Sequence, residues 1–361
     1  MQHVPAPVIR AQIESILRAW GMTPELVEIT AEVMVETDLA GVDSHGLSML
    51  MLYEEQMRKG QLNLQAKPQV VRDMPAMALI DGQAGLGHPV AAMAVDVAVK
   101  KAKEAGIGAV GVFNSHHFGA AGWYAQRAAN AGCLGLVFST ARSIVMLPTR
   151  GAEPVLGTNP IAFAAPARKE PGLLVDMATT TVAVNKVKVY ELNEKPVPTG
   201  WVFDGKGQPV TDSTKAMDYL QREPQGGLTP LGGTGVMGSH KGYGLGLMVQ
   251  VLAGALVGGS FSPLRNRTQK PGEGDNIGHF VIAIDPAAFG DTETFLETMD
   301  ATLGVCRAIP AADPALPVLV PGDPERASRV ERLEKGIPVP PLLAAKIEAI
   351  SGRAGVPYLF G

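Results

Sequence analysis

Cysteine is nearly absent from the 361-residue chain, with only Cys133 and Cys306 present. A disulfide scaffold is thereby excluded, and a reducing, cytoplasmic setting is expected. Aromatic residues make up 5% and charged residues 18%, and Lys+Arg (31) nearly balance Asp+Glu (35). With a net charge of -4 and no basic run, the chain offers no electrostatic footprint for nucleic acid. The first residues, MQHVPAPVIRAQ, lack the basic-then-apolar order of a signal peptide. The longest uncharged apolar run, residues 245–259, falls short of the roughly 20 residues a membrane span needs. It reads as a buried helix. No Walker loop occurs, and no Gly-x-Gly-x-x-Gly follows a candidate strand. Gly242, Gly244 and Gly246 come nearest but lie in a helical pattern, where small residues suit close packing.

What is present is apolar and punctuated. Hydrophobic residues reach 46%, with 42 glycines and 28 prolines. That composition predicts a folded protein with substantial cores and many turns. The first seventy residues read as helices, one of them starting at Thr23-Pro24 and ending near Gly41. From about residue 75 strands and helices alternate: MALIDG, then a long helix, IGAVGVF, another helix, and CLGLVFST. Further strands are predicted at IAFAAP, LLVDM and FVIAI, within an α/β class with some parallel pairing. The chain end is helical again. Expected boundaries are a helical lobe over 1–72, an α/β lobe over 73–308 with an inserted helical segment, and a return to the helical lobe over 309–361. Residues 260–276 read as a mobile surface loop and 309–324 as a proline-rich linker.

The seven histidines carry the chemistry. His88 and His279 adjoin predicted elements and read as structural, whereas His45, His116, His117 and His240 fall in turns between elements, where α/β proteins place ligands. Asp43, Ser44 and His45 are consecutive, so their side chains diverge and cannot line up as a hydrolytic triad. No Gly-x-Ser-x-Gly elbow is present, and no histidine spacing suits a metal, so no metal is expected.

SHG at 44–46, NSHHFGAAGWYA at 114–125, GTNPIAFAAP at 157–166, VDMATT at 175–180, GSHKGYGLGLM at 238–248 and VPGDPE at 320–325 together resemble the malate/L-lactate dehydrogenase family. The resemblance implies a non-Rossmann fold: a mixed-sheet cofactor lobe plus a helical lobe from both termini, usually dimeric. It implies hydride exchange between NAD or NADP and C2 of a small 2-oxo/2-hydroxy acid, or of a cyclic ketimine. His45 matches the proton donor and acceptor, with Ser44 orienting it and His117 beside the reaction. Gly46 leaves room for a close approach. Cofactor contacts carry over to His117, Phe118 and Gly119 at a helix start, to Asp176, Met177 and Ala178, to His240 and Lys241, and to Gly322 and Asp323. Thr158 and Lys186 match substrate-side positions.

The chain departs from the family pattern at the substrate. Relatives often carry Arg where Met49 stands, which replaces a carboxylate clamp by an adaptable apolar wall. Arg142 and Arg150 stand where relatives commonly have other residues, and Arg142 is expected to take over anion recognition. After VDMATT the chain reads AVNKVK, unlike the usual Ala-Arg-Gly-Lys, which loosens the match at Lys186. A relative that binds the cofactor without turnover is the alternative outside enzymes.

Overall fold

The computed structural model describes residues 2–361. A short strand β1 (Gln2–Val4) leads into α1 (Ala6–Ala19), α2 (Pro24–Leu39) and α3 (Leu50–Arg58). Helix α2 starts as its sequence dictates, with Pro24 in the first turn, although the Thr23 hydroxyl caps no amide. These helices bury Ile9, Ile13, Ile16, Val27, Met34, Leu50 and Tyr53 in one cluster. The chain end completes the cluster: α11 (Asp323–Lys335) is followed by β11 (Ile337–Val339) and α12 (Pro341–Ala354). Strand β11 pairs antiparallel with β1, Gln2 facing Val339, and Ile347, Ile350 and Phe360 enter the same core.

Between these ends lies a seven-stranded sheet of order β2-β3-β4-β10-β5-β6-β7. Its strands are β2 (Gln69–Met74), β3 (Met77–Gly85), β4 (Ile107–Ser115), β5 (Leu134–Ser139), β6 (Ile161–Ala165), β7 (Leu173–Met177) and β10 (Ile277–Ile284). Only β3 and β4 run parallel, joined by α4 (Gly87–Ala105); the other neighbours are antiparallel, so the sheet is mixed. Strand β2 lies before the residue at which the sheet was expected to begin. It is an edge strand exposed along its whole length, and its residues carry no alternating apolar signal.

Helices α4 and α5 (Ala121–Asn130) cover one face of the sheet. Alanines Ala91, Ala94, Ala98 and Ala125 and glycines opposite them let helix and sheet backbones approach closely. A Cβ on Gly108 would lie 2.1 Å from the Ala98 carbonyl oxygen. The opposite face carries α8 (Ser239–Gln250) and a π-helical turn over Val251–Ala255. There a Cβ on Gly278 would lie 1.8 Å from the Ala253 oxygen. The apolar run at 245–259 is therefore helical, but it is buried on one side only: Gly246, Val249 and Ala253 face inward while Leu247, Met248, Val251 and Leu256 are exposed.

A small subdomain interrupts the sheet after β7. It comprises α6 (Val184–Leu192), α7 (Ser213–Gln221) and the ribbon of β8 (Val202–Phe203) with β9 (Gly227–Leu228), around Val187, Val202, Met217 and Leu228. Residues 260–276, expected to be a mobile loop, instead hold α9 (Ser262–Thr268) and the fully buried Asp275. Helix α10 (Thr292–Ala308) lies on the surface and is tied to the β6–β7 turn by Arg168–Glu297 (2.6 Å) and Arg168–Glu293 (2.9 Å). Among the described residues no helix is long and apolar enough to cross a membrane.

Candidate active site

Helix α2 ends at Leu39, and Gly41 turns the chain in the left-handed region (φ 84°). The following segment, 42–47, is held from below by one carboxylate. Asp38, buried in the last turn of α2, accepts the Leu47 N–H at 2.8 Å. The space where Gly46 would carry a side chain is filled by that carboxylate, 2.0 Å from a built Cβ. The close approach expected at Gly46 is thus made by Asp38 rather than by a ligand. Burial raises the Asp38 carboxyl to about 8. From the outside, Arg332 of α11 binds the Asp38 carbonyl oxygen (2.6 Å) and the Asp43 carboxylate. Asp43 therefore points away from His45, as the divergence of neighbouring side chains requires.

Ser44 and His45 project from this clamped segment. Ser44 Oγ lies 2.7 Å from His45 Nδ1. Across the cleft stands His117, its ring 5.3 Å from that of His45 and tilted by 30°. His45 is only half-buried by area, yet the surrounding protein pushes its pKa down to about 4 by desolvation. His117 is held well below the ordinary histidine value by burial and by neighbouring His45, His88 and His279. Both rings are neutral at pH 7.

His117 follows the end of β4, where Asn114, the last residue but one of the strand, takes a left-handed conformation (φ 53°) and bonds Asp81 (2.8 Å). His116, expected with His117 in the site, is instead fully buried and donates Nε2–H to the Gln61 carbonyl at 3.0 Å. Residues 117–119 do not begin a helix: α5 starts at Ala121. The α5 amide expected to hold a phosphate is already used, because Gly122 N–H donates to Asp176 Oδ2 at 2.7 Å. The Phe118 ring is sealed between His279 (4.5 Å) and Tyr124 (4.8 Å), both parallel to it, so only its backbone can meet a ligand. Asp176 is accessible at the end of β7, but burial lifts its carboxyl to about 6 against the Gly122 bond, with Glu325 adding to the rise. Accessible area beside strong desolvation marks the floor of a cleft.

The other candidates stand on separate elements. Thr158 is half-buried and its carbonyl accepts from Thr179 N–H at 2.9 Å. His240 and Lys241 are exposed in the first turn of α8, behind Gly238, which offers no capping side chain. Gly322 (φ 100°) precedes α11, and Asp323 is occupied by Arg307 (2.8 Å), Arg326 (2.8 Å) and Val320 N–H (2.9 Å). That pairing, Arg307 first, holds its carboxyl well below the usual range; the Asp323 N–H is taken by the Val320 carbonyl and the Gly322 carbonyl by the Arg326 N–H, which leaves the Gly322 amide for a ligand. Lys186 is exposed on α6 with its ammonium 5.6 Å from the Trp201 ring centre. Met49 packs at the edge of the helical core.

Arg142 is anchored, not free. Its Nε lies 2.9 Å from Asp275 Oδ2, a carboxylate also bonded by Gln56 Nε2 (2.8 Å). Burial works to raise the Asp275 carboxyl, but His116, Arg142 and Arg265 overrule it and hold it at about 2. Gln56 lies seven residues after Met49 on the helical stretch that also carries Tyr53, so these three share a face leading from His45 toward Arg142.

Sequence reasoning missed Asp38, Tyr53, Gln56 and Asp275. Two of them left a signal: Asp38 falls on the apolar side of α2, four residues after Met34, and Tyr53 falls one turn after Met49.

A family model described as malate/L-lactate dehydrogenase matches residues 4–348. The malate dehydrogenase of Pyrococcus horikoshii is 38% identical over 98% of this chain and 96% of its own. The malate/(S)-sulfolactate dehydrogenase of Methanothermus fervidus is 34% identical over 96% of each. The crystal structure of malate dehydrogenase from Entamoeba histolytica superposes with a TM-score of 0.93 over 99% of both chains, at 29% identity. The chain belongs to the malate/L-lactate dehydrogenase family.

Proposed function

We propose that this chain is an NAD(P)-dependent dehydrogenase of small 2-hydroxy acids, acting in the cleft between His45, His117 and the end of β7. The observation that carries the reading is the facing pair of neutral histidines, 5.3 Å apart, one of them bonded to Ser44. The chemistry needs one group that exchanges a proton with the C2 oxygen and others that hold the substrate. His45 exchanges the proton at Nε2, while Nδ1 stays with Ser44 Oγ. As neutral imidazole it is ready to take the hydroxyl proton in oxidation. In reduction it must first be protonated, and a substrate carboxylate brought beside it favours that charge.

The residues around the cleft fit a nicotinamide dinucleotide. Lys241 and His240 stand exposed at an uncapped helix start, where the Lys241 cation and the helix dipole suit phosphate, although the amides of Ser239, Lys241 and Gly242 are taken by backbone carbonyls. The Phe118 and Gly322 amides and the end of β7 would hold the remainder, since the Gly119 and Asp323 amides are already bonded. When bound, the nicotinamide gives or takes the hydride at substrate C2. Arg142 serves as the anion anchor in place of the residue at Met49: Asp275 fixes its Nε and leaves its terminal nitrogens for a carboxylate or sulfonate. Thr158 completes the substrate side, and Lys186, held by Trp201, stands at its margin. The working form is a cytoplasmic homodimer, in which a second copy covers exposed Leu247, Met248, Val251 and Leu256.

The test is a screen of the 2-oxo counterparts of malate, lactate and 3-sulfolactate, with a cyclic ketimine, against NADH and NADPH. His45→Gln is expected to lower kcat by about 10²–10⁴ with nucleotide binding kept. Arg142→Met is expected to raise KM at nearly constant kcat. Turnover unaffected by His45→Gln would sink the mechanism. Nucleotide binding without turnover of any substrate would leave a binding protein instead.

A further inference from the structure

Beneath the two facing rings runs a buried chain of hydrogen bonds that the proton exchange at His45 does not use. Tyr53 OH lies 2.8 Å from His117 Nδ1 and 3.3 Å from His88 Nε2, and Tyr53 and His88 are both fully buried. The backbone N–H of Gly119 reaches the same His117 Nδ1 at 3.3 Å. We propose that Tyr53 is a positioning residue that locks His117 with its proton on Nε2, so that His117 presents a fixed N–H to the substrate oxygen on which His45 acts.

The argument rests on which partners can only donate. A backbone amide has no acceptor function, so Gly119 N–H requires a bare lone pair on His117 Nδ1. The ring proton of neutral His117 must then sit on Nε2. Tyr53 O–H donates to the same Nδ1, and its oxygen accepts the Nε2–H of His88. A second observation gives the same direction. His88 Nδ1 is buried with no partner among the described residues. A bare lone pair there costs less than an orphaned N–H, which again places the His88 proton on Nε2, toward Tyr53. Burial keeps the phenol un-ionised and both imidazoles neutral, so the direction does not reverse with pH in the working range. His117 Nε2 has no protein partner among the described residues, and the ring that carries it lies 5.3 Å from that of His45. The two histidines divide the work: His45 exchanges a proton, and His117 holds one in place and polarises the C–O bond.

The role at the substrate rests on the proposed dehydrogenase reading, whereas the tautomer does not. Histidine-labelled protein is compared by ¹⁵N NMR as wild type and Tyr53→Phe, with His117→Gln assigning the resonances. In the wild type, His117 is expected to show a bare Nδ1 and a protonated Nε2. In Tyr53→Phe only the longer Gly119 bond still favours that tautomer, so the Nδ1-protonated form should become detectable, and kcat should fall by about 10–100-fold with KM changed less than threefold and the nucleotide-induced shift in Tm retained. A proton on Nδ1 of wild-type His117 overturns the proposal, as does a Tyr53→Phe enzyme with wild-type kcat. If Tyr53→Phe does not fold, the wild-type spectrum decides. If the wild type turns over no 2-oxo acid, the dehydrogenase reading fails and the spectrum still judges the tautomer.

Discussion

His45 carries a pKa near 4 where a free imidazole has one near 6.5, and the cause is burial without a charged partner. That displacement fixes how the two reaction directions answer to pH. Oxidation uses neutral imidazole, so its kcat/KM should be flat above about pH 5 and fall below pH 4. Reduction needs imidazolium, so its kcat/KM should rise by about tenfold per unit as pH falls from 8 to 5. Initial rates in both directions across pH 4–9 check this; an inflection near 6.5 in both would mean that His45 is solvated rather than enclosed. The stretch around His45 in the sequence carries no sign of this displacement. Desolvation comes from what surrounds a side chain in space, and no neighbour in the chain records it. Asp38, Tyr53 and Asp275 were missed for a related reason: each is a polar residue in an apolar or charged stretch, and only its partner in another element reveals its use.

Elements were legible where period and length agreed. The buried strands β4, β5 and β10 and the long helices α2 and α4 fall where apolar pattern and glycine stops put them. Strand β2 was not legible because an edge strand need not bury either face, and α9 was hidden by the proline, glycine and charge around it. The contact between α11 and the segment bearing His45 could not be read at all, since Arg332 and Asp43 are 289 residues apart. That contact has a measurable role. Arg332 is mostly buried and serves both the Asp43 carboxylate and the Asp38 carbonyl, so Arg332→Met removes both bonds, while the Gly41 N–H still reaches the Asp38 carbonyl and water reaches exposed Asp43. The expected cost is about 1 kcal/mol in urea unfolding, together with a fall of about tenfold in kcat at unchanged nucleotide affinity. Stability lost with kcat intact would show that α11 supports the fold but does not place His45.

On the scale of the molecule, the helix over the outer sheet face leaves an apolar stripe uncovered, with Val251 57% and Leu256 63% exposed. Sedimentation should find a dimer, and Val251→Glu should shift it toward monomer by placing a charge in the buried contact. A wild type that sediments as a monomer at micromolar concentration would remove the dimer from the proposed function.

The pairing of β1 with β11 also dictates an order of assembly. A ribosome releases the strands of the sheet long before it releases residues 337–360, and those last residues supply part of the core beneath α1 and α3. Gln12 alone bonds Ser351 (3.0 Å), the Pro357 carbonyl (3.2 Å) and the Leu359 amide (2.7 Å). The emerging chain can therefore form the sheet while the helical half that presents His45 still waits for its final turns. A protein lacking β11 and α12 would be left with the core beneath α1 and α3 unclosed, and with it the footing of the segment that carries His45.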